Sequence, residues 1–191
     1  MSELTYKKIC QIKKYAKSVE KKTRYEHSKR VAKVCVQLAK QFGLKKKEAY
    51  LIGISHDICK HYDNELMINT AKKSGEEIQP FYLEDPHALH GLAAGVVLRE
   101  KFFISDEALI EAVSNHVIGK IGMNDYSKIL YIADKVEPGR KFSTKVYRKE
   151  LFSHTLDEMM GKVLKQSFDY VSKKGYKPYP GSKDIVDYYN R

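Results

Sequence analysis

Apolar residues recur along this chain with the period of a helix face. From Arg24 to Phe42 they fall at Val31, Val34, Cys35, Leu38 and Phe42, and Gly43 then supplies a left-handed stop. Lys47 to His61 reads as a second helix, with Ala49, Ile52, Gly53 and His56 on one face. Asp85-Pro86 reads as an N-cap followed by proline at the first helical position, opening a helix through His90, Ala94, Val97 and Lys101. Ser105 is expected to cap the next helix, with Ile104 and Leu109 as a hydrophobic staple. That helix carries Leu109, Ala112, Val113 and His116 and stops near Gly119. Tyr126 to Glu137 is ended by Pro138-Gly139, and Phe152 to Lys174 is a long amphipathic helix ended by Gly175. The remaining tail is rich in turn residues and tyrosines. No segment alternates as a half-buried strand would. The pattern predicts an all-α fold whose short helices must bury their apolar faces on one another.

Composition narrows the class. A chain of 191 residues with 42% hydrophobic positions fits one folded domain rather than a disordered segment. No apolar run approaches the roughly 18–20 residues of a membrane span; the longest candidate, Gly91 to Leu98, stops at Arg99. The opening MSELTYKKIC has no signal-peptide apolar core. Cys10, Cys35 and Cys59 are odd in number and lack paired knuckle spacing, which argues against disulfides or a zinc ribbon and for a reducing cytoplasm.

The net charge of +11 invites a nucleic-acid reading. Only six of the 35 basic residues are Arg, the type whose planar fork suits phosphate and base recognition. The excess also sits at the ends: residues 1–33 carry +8 and residues 141–191 carry +5, against −2 for residues 34–140. A solvated lysine-rich surface accounts for it, and no specific nucleic-acid partner is expected.

The candidate chemistry lies on the apolar faces. His27, His56, His90 and His116 each align with buried positions of their own helix, and Asp134 follows Leu130 by four. One inward histidine is ordinarily a hydrogen-bonded core residue. Four with an aspartate are different, because a buried carboxylate needs a partner and one metal ion satisfies the whole set. Asp57 adjoins His56, and on a continuous helix Lys60 would share the His56 face.

The order His27, His56-Asp57, Asp134 resembles the signature of the HD-domain metal-dependent phosphohydrolases. The segment RYEHSKRVAKVCVQLAKQFGLKKKEAYLIGISHDICK resembles their first ligand helices. HALHG, NHVIGKIGM and KILYIADKVEPGRKF resemble the YqeK-type branch, which splits diadenosine tetraphosphate symmetrically into two ADP. The resemblance runs from about Arg24 to Tyr189-Asn190. It implies one HD-domain helical bundle over residues 1–191, with a metal-ligand core at about 24–142 and a C-terminal helix and tail at 143–191. It implies His27, His56, Asp57 and Asp134 as metal ligands, with iron the ion of this branch and manganese or another divalent transition metal the alternative. A second ion is left open. It implies Asp57, Lys60, His90 and His116 as catalytic, and Arg140 as a bidentate phosphate clamp. His27, Lys60, His90, His116 and Asp134 would also face the substrate, and Lys177, Tyr179 and Pro180 would close over it. Oligomeric state stays open between monomer and homodimer.

Two departures bear on this. Val117 and Ile118 stand where the branch usually has two threonines, and Ser55 where leucine is common. The residue types still suit anhydride hydrolysis. A metal lowers the pKa of its water towards ~7, and Lys60, Arg140 and a protonated His90 or His116 would balance charge on the leaving phosphate. Two other readings stay open. One is an HD nucleotidase acting on other nucleotides, separable by product analysis. The other is a catalytically silent RNA-binding HD domain, which would tolerate loss of His56 and Asp57. Among bland readings, Cys35, Cys59, Tyr15, Tyr50, Tyr126 and Tyr131 are expected in the core, and His61 and His154 in solvent. His87 stays open between cap and site rim, and Tyr176 and Tyr179 are stacking candidates.

Overall fold

In the computed structural model, which describes residues 5–191, the described residues form eleven α-helices and no strand. Residues 1–4, the start of the segment read above for a signal peptide, lie outside them. The helices are α1 Tyr6–Val19, α2 Lys22–Gln41, α3 Lys46–Ser55, α4 Asn64–Lys72, α5 Pro80–Glu84, α6 His90–Phe102, α7 Glu107–Ser114, α8 Asp125–Val136, α9 Lys145–Leu151, α10 Leu156–Lys173 and α11 Ser182–Tyr189. Among the described residues no helix is long and apolar enough to cross a membrane.

The helices start where short polar side chains can take up free backbone N–H groups. Thr5, Asp63, Asp106, Asn124, Thr144 and Thr155 each accept from a first-turn amide, and Thr155 with Glu158 closes a capping box. The cap of α7 is therefore Asp106, whose carboxylate accepts the Ala108 N–H, and not Ser105 as expected. With the cap one residue later, the staple positions become Ser105 and Ile110, so the expected Ile104–Leu109 staple does not form, although both residues are buried in the core. Asp85 makes no cap bond; a 3-10 turn, Pro86–Leu89, follows it and α6 begins only at His90. The expected single helix Phe152–Lys174 starts instead at Leu156, because Phe152 caps the end of α9 and Thr155 caps the start of a new helix. The tail is not wholly irregular: α11 buries Ile185 against α10.

The core is built round α2, α3 and α8. The α2–α3 approach is close, since a Cβ on Gly53 would lie 2.4 Å from the Ala32 Cα. Only glycine lets the helices sit so near, and this brings their C- and N-terminal ends, bearing His56 and His27, together. Leu38, Leu51, Ile52, Ile129 and Leu130 fill the space between them. The α6–α7 pair closes the other side, and again a glycine sets the distance: a Cβ on Gly91 would meet the Ser114 carbonyl oxygen at 2.8 Å. Cys35, Cys59 and Tyr131 are core residues as expected, whereas Tyr15, Tyr50 and Tyr126 are half-buried at its edge. His61 is exposed as expected, His154 is half-buried, and His87 is exposed.

Candidate metal centre

The expected helix through His61 stops at Ser55, and the physical cause is local. The Ser55 hydroxyl donates back to the Leu51 carbonyl at 2.7 Å, and the His56 Nδ1–H donates to the Gly53 carbonyl at 2.8 Å. Residues 55–62 then descend in tight turns, with Ile58 N–H bonded to Ser55 and Lys60 N–H to Asp57. His56, Asp57 and Lys60 thus converge from a turn rather than from one helix face. The α7 helix ends in the same way at Ser114, short of its expected end near Gly119: His116 Nδ1 lies 2.7 Å from the Val113 carbonyl. His90 repeats the arrangement with the His87 carbonyl at 2.6 Å. Three histidines therefore use Nδ1 to satisfy a carbonyl three residues back and aim Nε2 inward.

His27 is oriented differently. Its Nδ1 lies 3.0 Å from Glu137 Oε1, and Glu137 is held in turn by the Arg30 guanidinium and by the Gly139 N–H at 2.5 Å. Its Nε2 faces Asp134 Oδ1 at 3.0 Å and Asp57 Oδ2 at 3.9 Å. His56 Nε2 faces the same oxygens, at 3.3 Å from Asp57 Oδ2 and 3.8 Å from Asp134 Oδ1. The second oxygen of Asp57 looks the other way, 3.1 Å from His90 Nε2 and 3.8 Å from His116 Nε2. Asp57 thus stands between two histidine pairs, and all six side chains are buried or nearly so.

These donors fit a divalent cation. His27 Nε2 and His56 Nε2 are buried and make no well-aligned hydrogen bond although carboxylate oxygens stand 3.0 and 3.3 Å away, an arrangement that a cation held between the rings and the carboxylates satisfies. His27, His56 and Asp57 form one group that could hold an ion, and Asp57, His90 and His116 another. In the second group the Nε2 atoms of His90 and His116 lie 3.1 Å apart while both Nδ1 atoms face carbonyls. Two lone pairs so placed repel, and a shared proton or a cation reconciles them.

Electrostatics divides the six. Burial would raise Asp57, but the positive charge on His56 and the close approach of the His116, His56 and His90 rings outweigh it and hold the carboxyl well below its ordinary value. Asp134 is likewise held well down against burial, chiefly by the Lys135 ammonium and His27. Burial opposes charge on His56, but Asp57 raises it to about 8. Burial depresses His90, and with the charges on His90 and His56 it pushes His116 down to about 4. Both shifts favour the neutral imidazole at His90 and His116, the pair of which one was expected to carry a proton, and the lasting positive charge near the site is that of other residues.

Those residues are close. Lys60 Nζ lies 3.2 Å from His90 Nδ1, so it is brought to the site as expected, though beside His90. Arg140 lines the adjoining cleft, and its fork donates to the Asp134 carbonyl at 3.0 and 2.8 Å and to Asp134 Oδ1 at 2.9 Å. Four neighbours escaped the sequence reading: Arg24, bonded to Asp57 Oδ2 at 3.0 Å; Lys135, bonded to Asp134 Oδ2 at 2.7 Å; Glu137; and Arg30. A signal existed, since Arg24 and Arg30 each stand three residues from His27 and Glu137 three from Asp134.

Beside this centre opens a cleft of about 1840 Å³ that includes Lys135, Arg140, Lys177, Tyr179 and Pro180. Lys177, Tyr179 and Pro180 thus share one cavity with the rim of the site. Val117 and Ile118, the aliphatic pair after His116, also line it.

Comparison with known proteins agrees with this geometry. The HD domain family model matches residues 24–139. The chain is 28% identical over 186 residues to the symmetrical bis(5'-nucleosyl)-tetraphosphatase of Staphylococcus aureus, covering 95% of this chain and 94% of that protein. To the Bacillus subtilis enzyme of the same name it is 27% identical over 159 residues, covering 82% and 84%. It superposes with a TM-score of 0.87 and 25% identity on a predicted HD superfamily hydrolase involved in NAD metabolism from Clostridium acetobutylicum, covering 99% and 98%. The match spans more than half of the residues and contains all six buried side chains of the centre, so this chain belongs to the HD domain family.

Proposed function

We propose that this protein hydrolyses diadenosine tetraphosphate symmetrically to two ADP in a metal-dependent reaction. The observation that carries the reading is the pair of histidine groups sharing Asp57 beside a cation-lined cleft. End-to-end similarity to the symmetrical tetraphosphatase of S. aureus supports the choice of substrate. His27, His56, Asp57 and Asp134 would hold the ion, and iron suits two imidazoles with two carboxylates, as manganese also does. When bound, the ion supplies a water of lowered pKa and polarises a phosphoryl oxygen.

The chain's own residues account for the rest. The water oxygen bonds to one inner phosphorus, the bridge between the two inner phosphorus atoms breaks, and one ADP leaves while the other keeps the water oxygen. Lys60 and Arg140 carry fixed positive charge against the leaving phosphate. His90 and His116, with Nδ1 committed to carbonyls, offer Nε2 as a proton acceptor facing Asp57. Lys177, Tyr179 and Pro180 line the cleft that receives the nucleotide. Residues 1–191 act as one domain, with residues 143–191 walling the cleft. A cytoplasmic setting suits the free Cys10, Cys35 and Cys59. The intact donor set argues against a silent RNA-binding domain. Metal analysis of purified protein, with hydrolysis assayed before and after chelation, tests the proposal. A bound transition metal and loss of turnover on chelation are expected, and turnover without metal would overturn it.

A further inference from the structure

A cleft of about 1840 Å³ exceeds the roughly 300–1,000 Å³ of an ordinary small-ligand pocket, so one nucleotide leaves much of it unfilled. Its aromatic walls come from separate elements. Phe81 of α5 and Tyr179 of the tail form one pair, ring centroids 5.8 Å apart, and the Tyr179 hydroxyl donates to Asp85 at 2.5 Å. Phe142, in the α8–α9 connection, is a second platform. It is 46% exposed, and among the described residues its one aromatic partner is Tyr147, met edge-on at 5.8 Å and 82°.

Phe142 is held there rather than left loose. Ser143 N–H bonds to the Arg140 carbonyl at 2.9 Å, and Thr144 N–H bonds to the Phe142 carbonyl at 2.9 Å. The Ser143 hydroxyl donates to the Val136 carbonyl, and Tyr147 is anchored from behind by its hydroxyl bond to Gln166 at 2.7 Å. A large ring kept half in water by a pinned turn, in a cleft wall, is suited to a planar ligand. Two residues earlier stands Arg140, bonded to Asp134 at the centre. A base on Phe142 would thus have its phosphates beside Arg140 and the exposed Lys141.

We propose that Phe142 is the stacking platform for one purine base of a dinucleoside polyphosphate, distinct from the Phe81–Tyr179 pair, so that the two bases occupy two aromatic walls and the inner phosphates lie at the Lys135–Arg140 rim. The proposal rests on the dinucleotide reading above and adds where the second nucleoside is recognised. It predicts weaker binding of mononucleotides, which reach only one platform.

The test is calorimetric titration of metal-loaded protein with ADP and with a diadenosine tetraphosphate analogue carrying a non-hydrolysable methylene bridge. Wild type is expected to bind the analogue more tightly than ADP. Phe142→Ala should weaken the analogue about tenfold, the order of one lost stacking contact, and change ADP less than twofold. Phe142→Trp should restore the analogue, and an unchanged melting temperature would show that the fold persists. If wild type prefers the analogue and Phe142→Ala leaves that preference intact, the platform is overturned and the substrate reading stands. Equal loss of both ligands also overturns it. If wild type binds the analogue no better than ADP, both fall.

Discussion

Glu137 Oε1 lies 3.0 Å from His27 Nδ1 while His27 Nε2 faces Asp134 at 3.0 Å. A carboxylate outside the donor set thus decides which nitrogen of His27 looks into the centre. Burial would raise Glu137, but His27, Arg30 and the Gly139 N–H lower it to about 2, so it stays ionised and keeps its grip. This is the outer support that metal-binding histidines need.

Glu137→Ala should therefore weaken metal binding about 10–100-fold while leaving every donor side chain in place. Titration against a competing chelator reads this directly. Glu137→Gln, which still accepts through its amide oxygen, should lose less. Equal metal affinity in Glu137→Ala and wild type would contradict the orienting role.

Glu20 has the opposite electrostatics. It is buried and, among the described residues, accepts only the Ser28 hydroxyl at 2.7 Å and has no partner at Oε1. Burial pushes its pKa from an ordinary 4.5 up to about 7. Between those values the folded state holds a proton that the unfolded state has released, so stability falls as pH rises through this window. In metal-free protein the penalty at pH 8 is about 3 kcal/mol. Glu20→Gln cannot titrate, so relative to wild type it should gain stability from pH 5 to pH 8. Denaturant unfolding across this range measures it, and parallel pH profiles would exclude the effect.

Gly53→Ala tests the packing that assembles the centre. The added methyl would sit 2.4 Å from the Ala32 Cα, a backbone atom that cannot turn aside. We expect a loss of about 2–3 kcal/mol, or roughly 4–12 °C in melting temperature, together with weaker metal binding as His56 is displaced. A variant as stable as wild type would show that α2 and α3 do not approach this closely.

Much of the centre was legible because the donors lie on apolar faces. His27 on α2 and Asp134 on α8 follow the helical period, and burial of both is what that period predicts. The turn geometry was less legible. Nothing in periodicity says that Ser55 and His56 bond back to Leu51 and Gly53 and so end α3 before the Asp57 turn. The same capture of a helix carbonyl by His116 ended α7 early. Helix α1 went unread because its apolar face is only Ile9, Ile12 and Ala16 among lysines, and α11 because it buries only Ile185. Periodicity does not single out Arg24, Arg30, Lys135 and Glu137, because charged residues are usually solvated. Only the fold shows that Arg24 meets Asp57 across 33 residues of chain, that Arg30 meets Glu137 across 107, and that Lys135 turns back onto the adjacent Asp134.

The most direct measurement is phosphorus-31 NMR of diadenosine tetraphosphate incubated with the metal-loaded protein. ADP as the sole nucleotide product, with the reaction stopped by a chelator, is the predicted result. AMP together with ATP, or turnover that survives chelation, would contradict symmetrical, metal-dependent cleavage.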